Sequence, residues 1–206
     1  MNVIGKNLYE NLNLLPPDYQ GWYSDSPVFN LVIEKTLPSV IVEVGTWKGA
    51  SAINMADICK NKKLKTTIYC VDTWLGSEEF WVRLAHTKER DLLLKNGYPQ
   101  IYYQFLSNVV HKNHQDTIIP VPNTSFIGSK ILKSKNVKAD LIYIDGSHEY
   151  EDVKLDISSY WDILKQNGIM FGDDYLWVKK AVDEYCETNK IALRVENNHN
   201  WIIRKK

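Results

Sequence analysis

A chain of 206 residues with 44% hydrophobic composition can bury one domain well and is too short for two full ones. Its 25 basic side chains are balanced by 25 acidic ones, which removes the electrostatic argument for a nucleic-acid partner. Cys59, Cys70 and Cys186 form no disulfide or metal framework, no apolar run reaches membrane-spanning length, and Met1–Glu10 lacks an apolar leader, so reduced thiols in a cytoplasmic protein with no membrane association are expected.

In chain order, residues 1–24 read as an irregular arm with Pro16-Pro17. Ser26-Pro27 starts a helix whose Phe29, Val32, Ile33 and Leu37 share one face, so residues 1–37 are expected to be an arm plus a covering helix. Residues 38–206 form the main domain. Apolar runs at 39–44, 66–71, 118–121, 140–144 and 169–171 read as buried parallel strands, the third near an edge because of Pro120. Ala52, Met55, Ala56 and Cys59 mark a helix after the first strand. Val153, Ile157, Tyr160, Trp161 and Leu164 mark another, expected to end at Asn167-Gly168. A further helix over about 178–188 precedes an antiparallel pair at 191–195 and 201–204. The expected fold is α/β, a doubly wound, Rossmann-like, mostly parallel seven-stranded sheet with a C-terminal antiparallel pair and helices on both faces.

Ligands of open α/β sheets bind outside the carboxyl ends of the strands, and Asp72, Asp145, Asp173 and Asp174 fall there. The turn Glu43-Val-Gly-Thr-Trp-Lys-Gly-Ala-Ser51 has glycines at 45 and 49, which serve either an ordinary tight turn or close approach of backbone to a ligand. Trp47 stands where a dinucleotide fingerprint has its second glycine. Asp72 is placed either to accept both hydroxyls of a ribose or to cap a turn. Asn123-Thr-Ser125, after the third strand, can meet an adenine edge.

Glu43-x-Gly45-x-x-x-Gly49-x-Ser51, Asp72, Tyr143-Ile-Asp-Gly-Ser-His-Glu-Tyr-Glu-Asp-Val153 and Gly172-Asp-Asp174, in that order, resemble the class I S-adenosylmethionine-dependent methyltransferases, in the branch of macrolide and rhamnosyl O-methyltransferases. The resemblance covers about residues 38–185. It implies that Glu43, Gly45, Thr46, Trp47, Gly49 and Ser51 hold the methionine part of S-adenosyl-L-methionine. It also implies that Asp72 and Thr73 hold the ribose, Ser125 the adenine region, and that Asp145 borders the cofactor. A homodimer is the family habit.

Metal-assisted members hold a hard divalent cation on carboxylates, so Asp145, Asp173 and Asp174 are the candidate Mg²⁺ ligands. The alternative has Asp145 on the methionine end and Asp174 capping the next helix. His148 is either the general base for an acceptor hydroxyl, with Asp145 beside it as a catalytic candidate, or a residue that only orients a ligand. Trp74, Trp81, His148 and Tyr175 are the candidate acceptor pocket, whereas Tyr102, Phe105 and Leu106 at helical spacing read as core. His86, His111, His114 and His199 read as surface or packing residues. The expected activity is metal-assisted O-methylation of a small hydroxylated molecule or sugar. A metal-dependent hydroxylase on the same scaffold and a cofactor-binding protein without turnover are the alternatives.

Overall fold

Strand residues alternate between two apolar layers, which is why the sheet needs helices on both faces. The computed structural model describes residues 8–82 and 92–206. In chain order the elements are α1 (Val28–Thr36), β1 (Val40–Val44), α2 (Ala50–Asn61), β2 (Thr67–Asp72), α3 (Glu78–Val82), α4 (Ile101–His111), β3 (Ile118–Pro122), α5 (Ser125–Ser134), β4 (Ala139–Ile144), α6 (Tyr150–Trp161), β5 (Leu164–Gly172), α7 (Tyr175–Asn189), β6 (Leu193–Glu196) and β7 (Asn200–Arg204). Ile41, Ile68, Cys70, Leu141, Tyr143, Ile169 and Phe171 face a layer built from α1, α2 and α4. Val42, Val44, Tyr69, Val71, Ile142, Ile144 and Met170 face the layer of α5, α6 and α7.

The seven strands lie in the order β3-β2-β1-β4-β5-β7-β6, with β7 antiparallel to both neighbours and the rest parallel. This is the expected fold. The reversal of order falls between β1 and β4, and register fixes what meets there. Val44 pairs with Val71 and with Ile144, and Ile144 pairs with Gly172. Gly45, Asp72, Asp145 and Asp173 are therefore delivered to one rim.

The covering helix α1 lies on the sheet: Phe29 and Ile33 are buried in the same core as β1, β4 and β5, each contributing roughly 1.5–3 kcal/mol by leaving water. One expectation, the end of the helix before β5, needs correcting. Helix α6 stops at Trp161, before Asn167-Gly168, and Leu164 already belongs to β5. There Asn167, not Gly168, takes the left-handed conformation at φ 65°, and its N–H meets the carbonyl of Lys205. Helix α5, which no sequence pattern marked, follows β3. Thr124 caps it, with Oγ1 accepting the N–H of Ile127 at 3.3 Å.

Candidate active site

Gly45 is the pivot of the rim. Its N–H bonds the carbonyl of Val71 at 3.0 Å, and its φ is +82°. A Cβ at this position would stand 2.0 Å from the backbone oxygen of Asp145, so the bends after β1 and β4 touch only because residue 45 has no side chain. Gly49, at φ +87°, begins α2, and a Cβ there would meet the Phe105 ring at 2.8 Å. Both glycines are thus required by contact of chain with chain. The convergence they permit brings the β1 bend against the acidic end of β4.

Asp72 organises that bend. Its Oδ2 accepts the N–H groups of Thr46 and Trp47, each at 2.8 Å, and its Oδ1 accepts that of Trp74 at 2.7 Å. Burial raises its pKa, and these N–H bonds offset only part of the shift. Thr73 closes the same turn, accepting the Leu75 N–H at 3.2 Å. Glu43 and Ser51 lie underneath. Glu43 has no exposed surface, receives the Ser51 hydroxyl, and is pushed up to about 8, mainly by burial. The pair lies beneath the bend, buried and hydrogen-bonded to each other. Ser125 stands at the start of α5, half-buried. Its hydroxyl turns to Asp156, a carboxyl on α6 that is 5% exposed and raised by burial to about 6.

Asp145, Asp173 and Asp174 stand at this rim in two overlapping sets, each completed by a histidine. Donor atoms of Asp145, His148 and Asp174 all lie within 4.8 Å of one another, as do those of Asp173, Asp174 and His199. Asp174 is common to both sets. It holds the left-handed conformation (φ 51°, ψ 36°) at the start of α7 but makes no side-chain cap; its Oδ2 lies 3.0 Å from Nε2 of His148 instead. That hydrogen bond holds its pKa below the usual carboxylate range. Asp145 accepts the Tyr143 hydroxyl at 3.0 Å and is raised to about 7 by burial and by the charges of Asp173 and Asp174. Burial also raises Asp173. Crowded carboxylates with raised pKa values are relieved by a cation, and the oxygen-rich donor set fits a divalent one.

His199 was missed in the sequence, since two asparagines in a turn are the only signal near it. Its Nε2 lies 2.8 Å from Asp173 Oδ1. The other histidines match expectation more closely: His114 is buried against Asp57 at 2.8 Å and His111 meets the carbonyl of Leu15. His86 lies outside the described residues.

The aromatic candidates for the acceptor pocket are placed differently from one another. Trp74 is 2% exposed, packs on Tyr102 and Phe105, and donates Nε1–H to the carbonyl of Trp47, so it is core. Tyr175 is also buried, with its hydroxyl on Asp183 at 2.7 Å. Trp81 is partly exposed and donates Nε1–H to Leu75. The wall beside the β1 bend consists of Trp47 stacked on Phe80 at 4.7 Å, with Trp22 of the N-terminal arm against both. The arm is tied down here: Gln20 accepts Trp47 Nε1–H at 2.7 Å, and Asp18 pairs with the buried ammonium of Lys48 at 2.6 Å.

A family model described as a methyltransferase domain matches residues 42–175. Uncharacterised proteins of Sinorhizobium fredii and of Acanthamoeba polyphaga mimivirus are 24% and 23% identical over 156 residues. These matches take in 76% and 75% of this chain and span 15% and 60% of those relatives' lengths. Among solved structures, CalS11, a calicheamicin methyltransferase, superposes with a TM-score of 0.65 at 17% identity, over 88% of this chain and 78% of that one. The O-methyltransferase NovP gives 0.61 at 16%, over 89% and 80%. An O-methyltransferase from Bacillus cereus bound to S-adenosylhomocysteine (SAH) gives 0.62 at 11%, over 92% and 84%. Identities this low speak for the fold, while the family match takes in more than half of the chain, including the β1 bend, Asp72, Asp145 and the Asp173-Asp174 pair. The chain belongs to the methyltransferase domain family and has the fold of the class I S-adenosylmethionine-dependent methyltransferases.

Proposed function

We propose that the protein transfers the methyl group of S-adenosyl-L-methionine to a hydroxyl oxygen of a small molecule, a sugar being the favoured class, with a divalent cation held at Asp145, Asp173 and Asp174. The observation that carries this reading is the shared rim, where the Gly45 bend contacts Asp145 and the acids and His148 stand beside it. A bound cation would supply Lewis acidity that favours the alkoxide form of the acceptor. His148 would take the acceptor proton. With Nε2 directed to Asp174, the proton would be received on Nδ1, and Asp174 would hold the ring in that tautomer and stabilise its charge. Trp22, Trp47 and Phe80 would exclude water and offer faces to a ring. The sugar class draws support from CalS11, a TDP-rhamnose 3'-O-methyltransferase. Balanced charge favours such an acceptor over a polyanion, and three buried free thiols accord with a cytoplasmic setting.

The test is SAH formation across a panel of hydroxylated sugars and phenols. Turnover of at least one class is expected, abolished by chelator and restored by Mg²⁺ or Mn²⁺. Asp173→Ala should lose the metal response while calorimetric cofactor affinity stays largely intact. Activity that survives the chelator removes the cation from this reading; tight cofactor binding without transfer to any acceptor removes turnover.

A further inference from the structure

We infer that His199 is a nitrogen ligand of the cation at this rim, so that the site selects a transition-metal ion such as Mn²⁺, Fe²⁺ or Co²⁺ over Mg²⁺. The inference rests on the cation in the proposed function and specifies what holds it. The two histidines of the cluster differ in what they do. His148 hydrogen-bonds Asp174 from an exposed loop. His199 Nε2 is buried and sits 2.8 Å from Asp173 Oδ1, yet no group among the described residues satisfies it with a hydrogen bond. A buried ring nitrogen without a hydrogen bond is costly unless something else engages it. Neighbouring ligand atoms around an octahedral ion with bonds of about 2.1 Å lie about 3 Å apart, and the His199–Asp173 spacing is of that size.

The fold holds this nitrogen in place. Asn197 and Asn198, at φ 52° and 55°, make the tight turn between β6 and β7 that delivers His199 to the rim. Its carbonyl accepts the N–H of Tyr175 at 2.8 Å, and its own N–H meets the carbonyl of Glu196 at 2.9 Å. The Tyr23 ring lies 4.0 Å from the imidazole, and the buried Asn200 next in sequence donates to Asp173 Oδ1 at 2.9 Å. The carboxylate and the imidazole are thus positioned as a unit by one hairpin. An all-carboxylate site suits Mg²⁺, which prefers oxygen and loses water reluctantly. Imidazole beside carboxylates suits first-row transition ions.

The experiment uses the full chain stripped of metal, with Mn²⁺ and Mg²⁺ titrated calorimetrically into wild type, His199→Asn and His148→Ala. Wild type should prefer Mn²⁺ by at least tenfold, and His199→Asn should weaken Mn²⁺ on the order of 10–100-fold with Mg²⁺ affinity little changed. Electron spin-echo modulation of the Mn²⁺ complex of His148→Ala, an exposed substitution, should retain ¹⁴N coupling from a bound imidazole. Mn²⁺ bound to that variant without nitrogen coupling overturns the inference and leaves the cation reading standing. Failure of wild type to bind either ion overturns both. An unaltered Mn²⁺ to Mg²⁺ preference in a folded His199→Asn also overturns the inference.

Discussion

Asp72 engages three backbone N–H groups of the bend with one carboxylate, so its substitution should be felt in folding as well as in binding. A role confined to a ribose would weaken cofactor binding alone. Asp72→Ala is expected to lower unfolding stability by about 1–3 kcal/mol and also to weaken S-adenosyl-L-methionine binding, read by urea denaturation beside calorimetry. Wild-type stability with weakened binding would leave only the ribose role. The rim residues Gly45, Asp72, Asp145, Asp173 and Asp174 were legible because each ends an apolar run, and run ends are visible in sequence. For Glu43, Ser51, Ser125 and Trp74 the sequence showed the place in the chain but not the side-chain partners. Their surroundings come from Cys70, Asp156 and Phe105 on other elements, which sequence spacing does not report. His199 was illegible for the same reason, since strand pairing alone carries it to Asp173.

The N-terminal arm behaves as an element without regular structure, held by side chains of α4 and of the β1 bend. Asn108 donates Nδ2–H to the carbonyls of Asp18 and Lys48, Gln104 donates to Pro16, and Ser107 accepts the Leu15 N–H. Lys48 is 1% exposed, so its ammonium depends on Asp18 for a counter-charge. Asp18→Asn is therefore expected to cost about 1–3 kcal/mol, the lower part of the range because Asp18 is itself 41% exposed. Hydrogen exchange should quicken at the amides of Leu15, Asp18 and Gln20. Unchanged protection there would show that the ion pair does not hold the arm. Helix α5 shows what the sequence hides at this scale. Gly128 weakens any helical reading by roughly 1 kcal/mol, yet a Cβ there would stand 2.4 Å from Val71 Cγ1, so the glycine is what lets α5 lie against β2.

Across the molecule, acids of two kinds set the pH profile. Burial lifts Glu43 to about 8 and Asp156 to about 6, above ordinary values of 4.5 and 3.8, despite the serine hydroxyls that each accepts. In the folded protein they keep protons that the unfolded chain has lost, so their contribution is whole below the ordinary values and declines as pH rises through about 6 and 8. Asp18 and Asp140 work in reverse. Burial opposes their ionisation, but Lys48 and Lys165 outweigh it and hold both below 3.8, so their contribution is lost on acidification. The ligand-free protein should melt highest at about pH 5 and several degrees lower at pH 8 by scanning calorimetry. A flat profile over that interval would show that neither Glu43 nor Asp156 keeps its proton in the fold. The parallel sheet with its closing antiparallel pair was legible from the alternation of runs, whereas the strand order and the reach of the last hairpin back to the rim were not. That reach bears on biosynthesis. Because β7 inserts beside β5, a growing polypeptide stalled before residue 199 would present the edge of Ile169, Met170 and Phe171 uncovered, so chaperone capture of nascent chains should end only as that final strand emerges from the ribosome.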